Sequence, residues 1–195
     1  MEILYEDSAI VVVEKPVGLD SETDMPRVLS EQLGGSFLPV HRLDLNVGGL
    51  MVYARNPVAA GELSWQIQNG KFIKEYVAMV HGTPPMDARW TDLLFKDSRK
   101  NKVYIVQRKR AGVKEARLSY RCISQGEQSL VRIRLETGRS HQIRAQFSGH
   151  GYPLVGDHKY GSRAKETAPM LYSCCLEFEF AGHRHRYEKI PAWCG

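Results

Sequence analysis

Cysteine is scarce in this chain, and the few present do not form a metal-binding pattern. There are four in 195 residues, Cys122, Cys174, Cys175 and Cys194, with no C-x-x-C pair. Adjacent Cys174-Cys175 would make a strained disulfide. Structural zinc is thereby disfavoured, and reduced thiols in the cytoplasm are expected. Long apolar runs are missing too. None approaches the ~20 residues of a membrane helix, so no membrane partner is expected. The opening Met1–Asp7 is acidic and lacks the basic and apolar regions of a secretory leader. Neither G-x-G-x-x-G nor a phosphate-loop motif occurs, which leaves dinucleotide and nucleoside-triphosphate chemistry without support. His183 and His185 alternate in the tail, but without further ligands they make no metal site.

Hydrophobic residues make up 43% and charged residues 25%, the balance of an ordinary globular chain. The formal charge is +5, and it is unevenly placed. Between Lys96 and Arg121 there are ten Lys or Arg against Asp97 and Glu115, a net +8, so the remainder is net −3. Such a stretch is either a solvated charged hairpin or a footprint for a polyanion, nucleic acid first.

Periodicity outlines an α+β chain. Ile3–Glu6 and Ile10–Glu14 read as strands around an Asp7-Ser8 turn, and residues 26–33 as a short helix closed by Gly34-Gly35. Leu50–Ala54 reads as a strand. Asn56-Pro57 is a helix start, with Val58, Leu63 and Ile67 on or near one face and a stop at Asn69-Gly70. Strands are expected at Phe72–Val80, Val103–Val106, from Ala116 to Cys122 and at Leu130–Leu135. A helix follows at Ser140–Gly149, then two strands, Met170–Cys175 and Leu176–Phe180. The sum is one domain over residues 1–195, a mostly antiparallel mixed sheet flanked by helices and loops.

Two stretches carry chemistry. The first, His41-Arg42-Leu43-Asp44-Leu45-Asn46-Val47-Gly48-Gly49, sets a carboxylate and a cation in a loop that ends in two glycines. By itself it equally describes a turn former. The second runs from Arg134 through Thr137-Gly138-Arg139-Ser140-His141-Gln142-Ile143-Arg144. It is a donor-rich helix start on which His141 and Arg144 share a face, suited to phosphate or carboxylate.

Together the two stretches resemble the RluA-type pseudouridine synthases. Their H-R-L-D-x-x-T-S-G loop is matched by His41-Arg42-Leu43-Asp44 and Gly49. Their T-G-R-[ST]-H-Q-[IL]-R motif is matched by Thr137–Arg144 without a gap. G-H-P-[IL]-x-G-D-x-x-Y-G is close to Gly151–Gly161, and K-x-Y-x-A-x-V-x-G is similar to Lys74–Gly82. Leu4–Asp7 with Val12–Leu19 looks like the family's opening. The matches run in order through nearly the whole chain. Val47-Gly48 departs from the usual Thr-Ser, and the tail after Phe180 lacks the usual His-Pro pattern.

The resemblance implies an isomerase that turns uridine of tRNA or rRNA into pseudouridine, with no metal or organic cofactor. It implies Asp44 acting at the ribose C1′ region, Arg144 as its cation partner, and Tyr76 against the target base. Arg42 would fill the space left by the flipped base. Arg139, His141, Lys100, Lys102, Arg108, Lys109 and Arg110 would meet RNA, phosphates above all. A monomer is expected, with no separate S4-type RNA-binding domain. A non-catalytic RNA-binding protein or chaperone on the same fold is the second reading, permitted by Val47-Gly48; intact Asp44, Tyr76 and Arg144 favour the enzyme.

Overall fold

The computed structural model describes residues 1–194. They divide into two compact units, one of Met1–Glu75 together with the chain from Tyr172 onward, the other of Tyr76–Leu171.

In the first unit, β1 (Ile3–Glu6) and β2 (Ile10–Lys15) form a hairpin. Its turn is fixed by Asp7, whose carboxylate accepts from the backbone N–H groups of Ala9 and Ile10, both at 2.7 Å. α1 (Asp24–Leu33) follows and ends at Gly34, and β3 (Leu38–Pro39) is a two-residue strand. β4 (Gly48–Ala54) is buried at every position. It lies between β2, antiparallel, and β10 (Leu171–Phe180), parallel, so the sheet is mixed as expected. α2 (Pro57–Gln68) starts as its sequence dictates: the Asn56 side chain accepts from the Ala59 N–H at 2.9 Å, with Pro57 in the first turn. Ile10, Val12, Leu50, Val52, Leu63, Phe72 and Phe178 share one apolar core.

Two expectations need correction here. Val58 does not face this core; it is exposed, and the buried face of α2 is Ala59, Leu63 and Gln66. Gln66 is buried because its side chain bonds both backbone groups of Glu179. The two late strands are one, β10. The second strand of that hairpin is β11 (His183–Glu188), reached through Ala181 and Gly182, both at positive φ.

In the second unit, β5 (Ile73–His81), β9 (Gln128–Leu135), β8 (Val113–Ser124), β6 (Asp87–Asp97) and β7 (Lys102–Val106) lie in that order. The eleven-residue β6 has no counterpart in the sequence reading. Its ladder to β8 is nonetheless long, from Asp87↔Arg121 to Phe95↔Val113. Only Leu94 of its residues is buried, so no clean alternation betrays it. α3 (Gln142–Gly149) packs its Ala145 with Leu94, Val103, Ala116 and Tyr160.

Candidate active site

Asp44 sits in the loop between β3 and β4, and the backbone on both sides of it is fixed. On one side the Ser21 hydroxyl donates to the Leu43 carbonyl at 3.0 Å and accepts from the Leu43 N–H at 3.3 Å. On the other, the Gly18 N–H donates to the Leu45 carbonyl at 2.9 Å, and the Val47 N–H closes a turn onto the Asp44 carbonyl at 3.0 Å. The Asp44 side chain itself is partly exposed.

Lys15 completes the clamp. It is fully buried at the end of β2, and its ammonium donates to the carbonyls of Pro16 (2.9 Å), Leu19 (2.8 Å) and Leu45 (3.4 Å). Burial pushes its pKa down to about 8, against the pull of the Asp20 and Asp44 carboxylates. Sequence reading quoted Lys15 in a motif but gave it no role.

His41 is structural. Its Nε2 accepts the Val52 N–H at 3.2 Å, which puts the proton of the neutral ring on Nδ1. Burial, with the positive charge of Lys74 beside it, holds its pKa down to about 3. Arg42 lies outside, in an ion pair with Glu22 at 3.2 Å that is about half exposed on both sides. Gly49 is demanded by geometry. Its φ is +122°, and a Cβ there would lie 2.5 Å from the Ser173 backbone, where β4 meets β10.

In the second unit, Tyr76 is buried on β5. Arg144 is buried on α3, and its Nε and one terminal nitrogen grip Asp157 at 2.7 and 2.9 Å, a two-point ion pair. Its guanidinium lies 5.0 Å from the Tyr160 ring centroid. The Tyr160 hydroxyl bonds His141 Nδ1 at 2.9 Å and accepts the Val103 N–H at 2.8 Å. The Lys102 ammonium lies 5.1 Å from the same ring. Three predicted residues, Lys102, His141 and Arg144, thus converge on a tyrosine that sequence reading left without a role.

α3 begins unusually. His141, its capping residue, is left-handed at φ 49°, with no side-chain cap bond. Gln142 takes over: its side-chain oxygen accepts from the Thr137 hydroxyl (2.8 Å) and the Arg139 N–H (3.0 Å), while its nitrogen donates to the Arg117 carbonyl (3.0 Å).

The basic stretch runs over β6, β7, β8 and the turns between them. Lys100 lies in the turn between β6 and β7, whereas Arg108, Lys109 and Arg110 lie in the loop between β7 and β8. The five residues of β7 separate them, about 17 Å of strand. Arg110 packs over Phe95 at 4.7 Å, and the exposed Arg139 reaches the Glu115 carbonyl at 2.9 Å, near the start of β8. Among the described residues, no cluster of three or more His, Cys, Asp or Glu could hold a metal.

Residues 9–149 match the sequence profile of the family described as RNA pseudouridylate synthase. The chain belongs to the RNA pseudouridylate synthase family. It is 34% identical to an uncharacterised RNA pseudouridine synthase of Aquifex aeolicus, over 89% of this chain and 60% of that protein. It is 31% identical to ribosomal large subunit pseudouridine synthase D of Zymomonas mobilis, over 91% of this chain and 61% of that one. The chain thus spans about three-fifths of the length of these relatives. Its fold is similar to that of human RNA pseudouridylate synthase domain containing 1, with a TM-score of 0.85 at 22% identity, covering 97% of this chain and 83% of that one.

Within this family frame, Asp157 is the residue that sequence reading missed most plainly. It was legible only as one letter of the G-D-x-x-Y-G motif, thirteen positions from the arginine it grips. The Val47-Gly48 departure is also accounted for locally. Val47 is buried, and a Cβ on Gly48 would lie 3.3 Å from the Lys15 carbonyl and 3.5 Å from Val17.

Proposed function

We propose that this protein isomerises uridine in ribosomal or transfer RNA to pseudouridine. The observation that carries the reading is the Asp44 loop, a carboxylate whose backbone is held from both sides while its side chain stays accessible. The reaction needs such a group at the ribose. The N1–C1′ bond breaks, the base turns, and a C5–C1′ bond forms; C5 gives up its proton and N1 gains one. Atoms and oxidation state are conserved, so the chemistry calls for positioning and acid–base groups rather than an external reagent.

Asp44 acts at C1′ as nucleophile or as stabiliser of developing positive charge. Tyr76 meets the target base. Arg144, braced by Asp157 and Tyr160, supplies the fixed positive charge of the second unit. Lys100, Lys102, Arg108, Lys109, Arg110 and Arg139 bind phosphates, so affinity falls with salt. The two units serve as one catalytic domain, and the protein works as a monomer in the cytoplasm. Its four cysteines, none in a C-x-x-C pair, suit that reducing compartment.

The test is tritium release from large-subunit rRNA and tRNA transcripts labelled at C5 of uridine. Wild type should release tritium. Asp44→Ala should release none while binding the same RNA, because phosphate contacts supply most of the affinity. Equal release by the variant would sink the mechanism. Binding without release by wild type on every transcript would favour the non-catalytic reading.

A further inference from the structure

We propose that the face of β6, β7 and β8 turned away from α3 is a platform for an unpaired nucleotide of the RNA, its base stacked on Tyr104 and its phosphates on Lys102 and Arg110; this rests on the RNA reaction proposed above. The two faces of this three-stranded ladder differ. One carries Leu94, Val103 and Ala116, which pack with Ala145 of α3 and with Tyr160, while Ile105 lies against Gly149. Strand alternation puts Leu93, Phe95, Tyr104, Val106 and Val113 on the other. Register sets Val113, Phe95 and Tyr104 in one row across the three strands. Tyr104 is 37% exposed.

Two cations border that ring. Along β7, the Lys102 ammonium lies 5.6 Å from the Tyr104 ring centroid. Across the ladder, the Arg110 guanidinium lies 4.7 Å from the ring centroid of Phe95, the cross-strand neighbour of Tyr104. Arg110 is firmly mounted. Its carbonyl accepts the Val113 N–H at 3.1 Å, closing a turn in which Gly112, at φ +79°, sits against the Phe95 ring. At the far end of the same face the cations are neutralised: Arg117 pairs with Glu115 and Glu136, and Arg89 with Glu136. Beside Tyr104 they are not. Asp97, opposite Lys102, instead accepts the N–H groups of Arg99 and Lys100. Among the described residues, neither Lys102 nor Arg110 pairs with a carboxylate. Duplex RNA shows phosphates but hides its base faces, and cations alone would serve it. An exposed ring between two unneutralised cations matches a nucleotide whose base is unstacked. An apolar protein surface would instead have to strip water from both charges.

The experiment measures affinity by fluorescence anisotropy for three probes: a uridine-rich RNA single strand of about 12 nucleotides, its duplex, and the same strand without bases. Tyr104→Ala should weaken binding of the single strand roughly 5- to 100-fold, and that of the duplex and the abasic strand less than about twofold. Tyr104→Phe, which keeps the ring, should bind the single strand as wild type does. Tyr104→Ala should leave the salt dependence of single-strand binding unchanged, whereas Arg110→Gln should lower its slope by roughly 0.7. The melting temperature of Tyr104→Ala should not move, since the ring is outside the core. No loss for Tyr104→Ala on the single strand, or equal loss on all three probes, overturns the platform. Failure of wild type to prefer the single strand over the abasic strand overturns it too, and leaves the face to a protein partner. Tritium release is read separately. Tyr104-dependent binding of the single strand without release by wild type on any transcript would refute the reaction and leave the platform standing.

Discussion

Replacing Asp157 by asparagine tests whether the second unit depends on a buried charge pair. Asp157 and Arg144 are both buried, and two charge-assisted bonds of 2.7 and 2.9 Å join them. Asparagine keeps the shape and can still accept one N–H. At the second contact it turns an amide NH2 toward a guanidinium N–H, donor against donor, and the arginine keeps its full charge in a dry site. Removing one partner of a buried pair costs roughly 3–5 kcal/mol. For a chain of this size each kcal/mol shifts Tm by about 2–4 °C. Asp157→Asn should thus melt roughly 6–20 °C below wild type at pH 7, measured by calorimetry. The double variant Arg144→Met, Asp157→Leu removes both charges together, and should recover much of that loss while remaining inactive. A drop of under about 1 °C for Asp157→Asn would refute the buried pair as a determinant of stability.

Two groups of the first unit predict opposite limbs of a pH–stability curve. His41 binds its proton only near pH 3 in the folded chain against 6.5 ordinarily. The unfolded chain therefore takes up protons first as pH falls, and stability is lost from about 6.5 downward toward 3. Denaturant titrations should show a shallower acid limb for His41→Gln. Lys15 loses its proton near pH 8 when folded against 10.5 ordinarily, so stability rises with pH from about 8 upward. Relative to Lys15→Met, wild type should gain about 2 kcal/mol between pH 8 and 9.5; no gain would mean that the ammonium stays charged. Gly49→Ala should cost about 3 kcal/mol or more, because a Cβ there meets the Ser173 backbone at 2.5 Å. Gly70→Ala is the control: also at positive φ but in open space, it should cost only about 1–2 kcal/mol, and equal losses would refute the steric argument.

Elements that are short apolar runs or carry a cap were legible in the sequence. β2 and β4 are apolar runs, and Asn56-Pro57 announces α2 through its cap. β6 was hidden because Asp87–Asp97 buries only Leu94 and stands on its ladder to β8 rather than on a core. β10 was split in two because Cys174, Cys175 and Leu176 form an unbroken buried run without alternation to mark its continuity. At the site, Asp44 and Arg144 were legible by their motifs. The residues that hold them were not, since a partner thirteen positions away leaves no periodic trace. Ser21, Gly18 and Lys15 act on the Asp44 loop through backbone carbonyls and N–H groups, which any sequence possesses. The basic stretch spreads over several elements: Lys100 and the run 108–110, close in sequence, lie beyond opposite ends of β7, while Lys114, Arg117 and Arg121 lie along β8.

The Val47-Gly48 departure bears on whether the loop can work, and its anchors answer that. The ties that fix Asp44 run through the Ser21 hydroxyl, the Gly18 N–H and the Lys15 ammonium. None of them uses a side chain at position 47 or 48. What position 47 contributes is its N–H, bonded to the Asp44 carbonyl, which valine supplies as well as threonine would. Its side chain is buried, so it adds apolar packing where a hydroxyl would require a partner. At position 48 the space beside the backbone is taken by the Lys15 carbonyl and by Val17. Glycine there and an exposed Val17 are therefore coupled features of one packing arrangement. That arrangement leaves the Asp44 backbone held as firmly as the proposed chemistry needs.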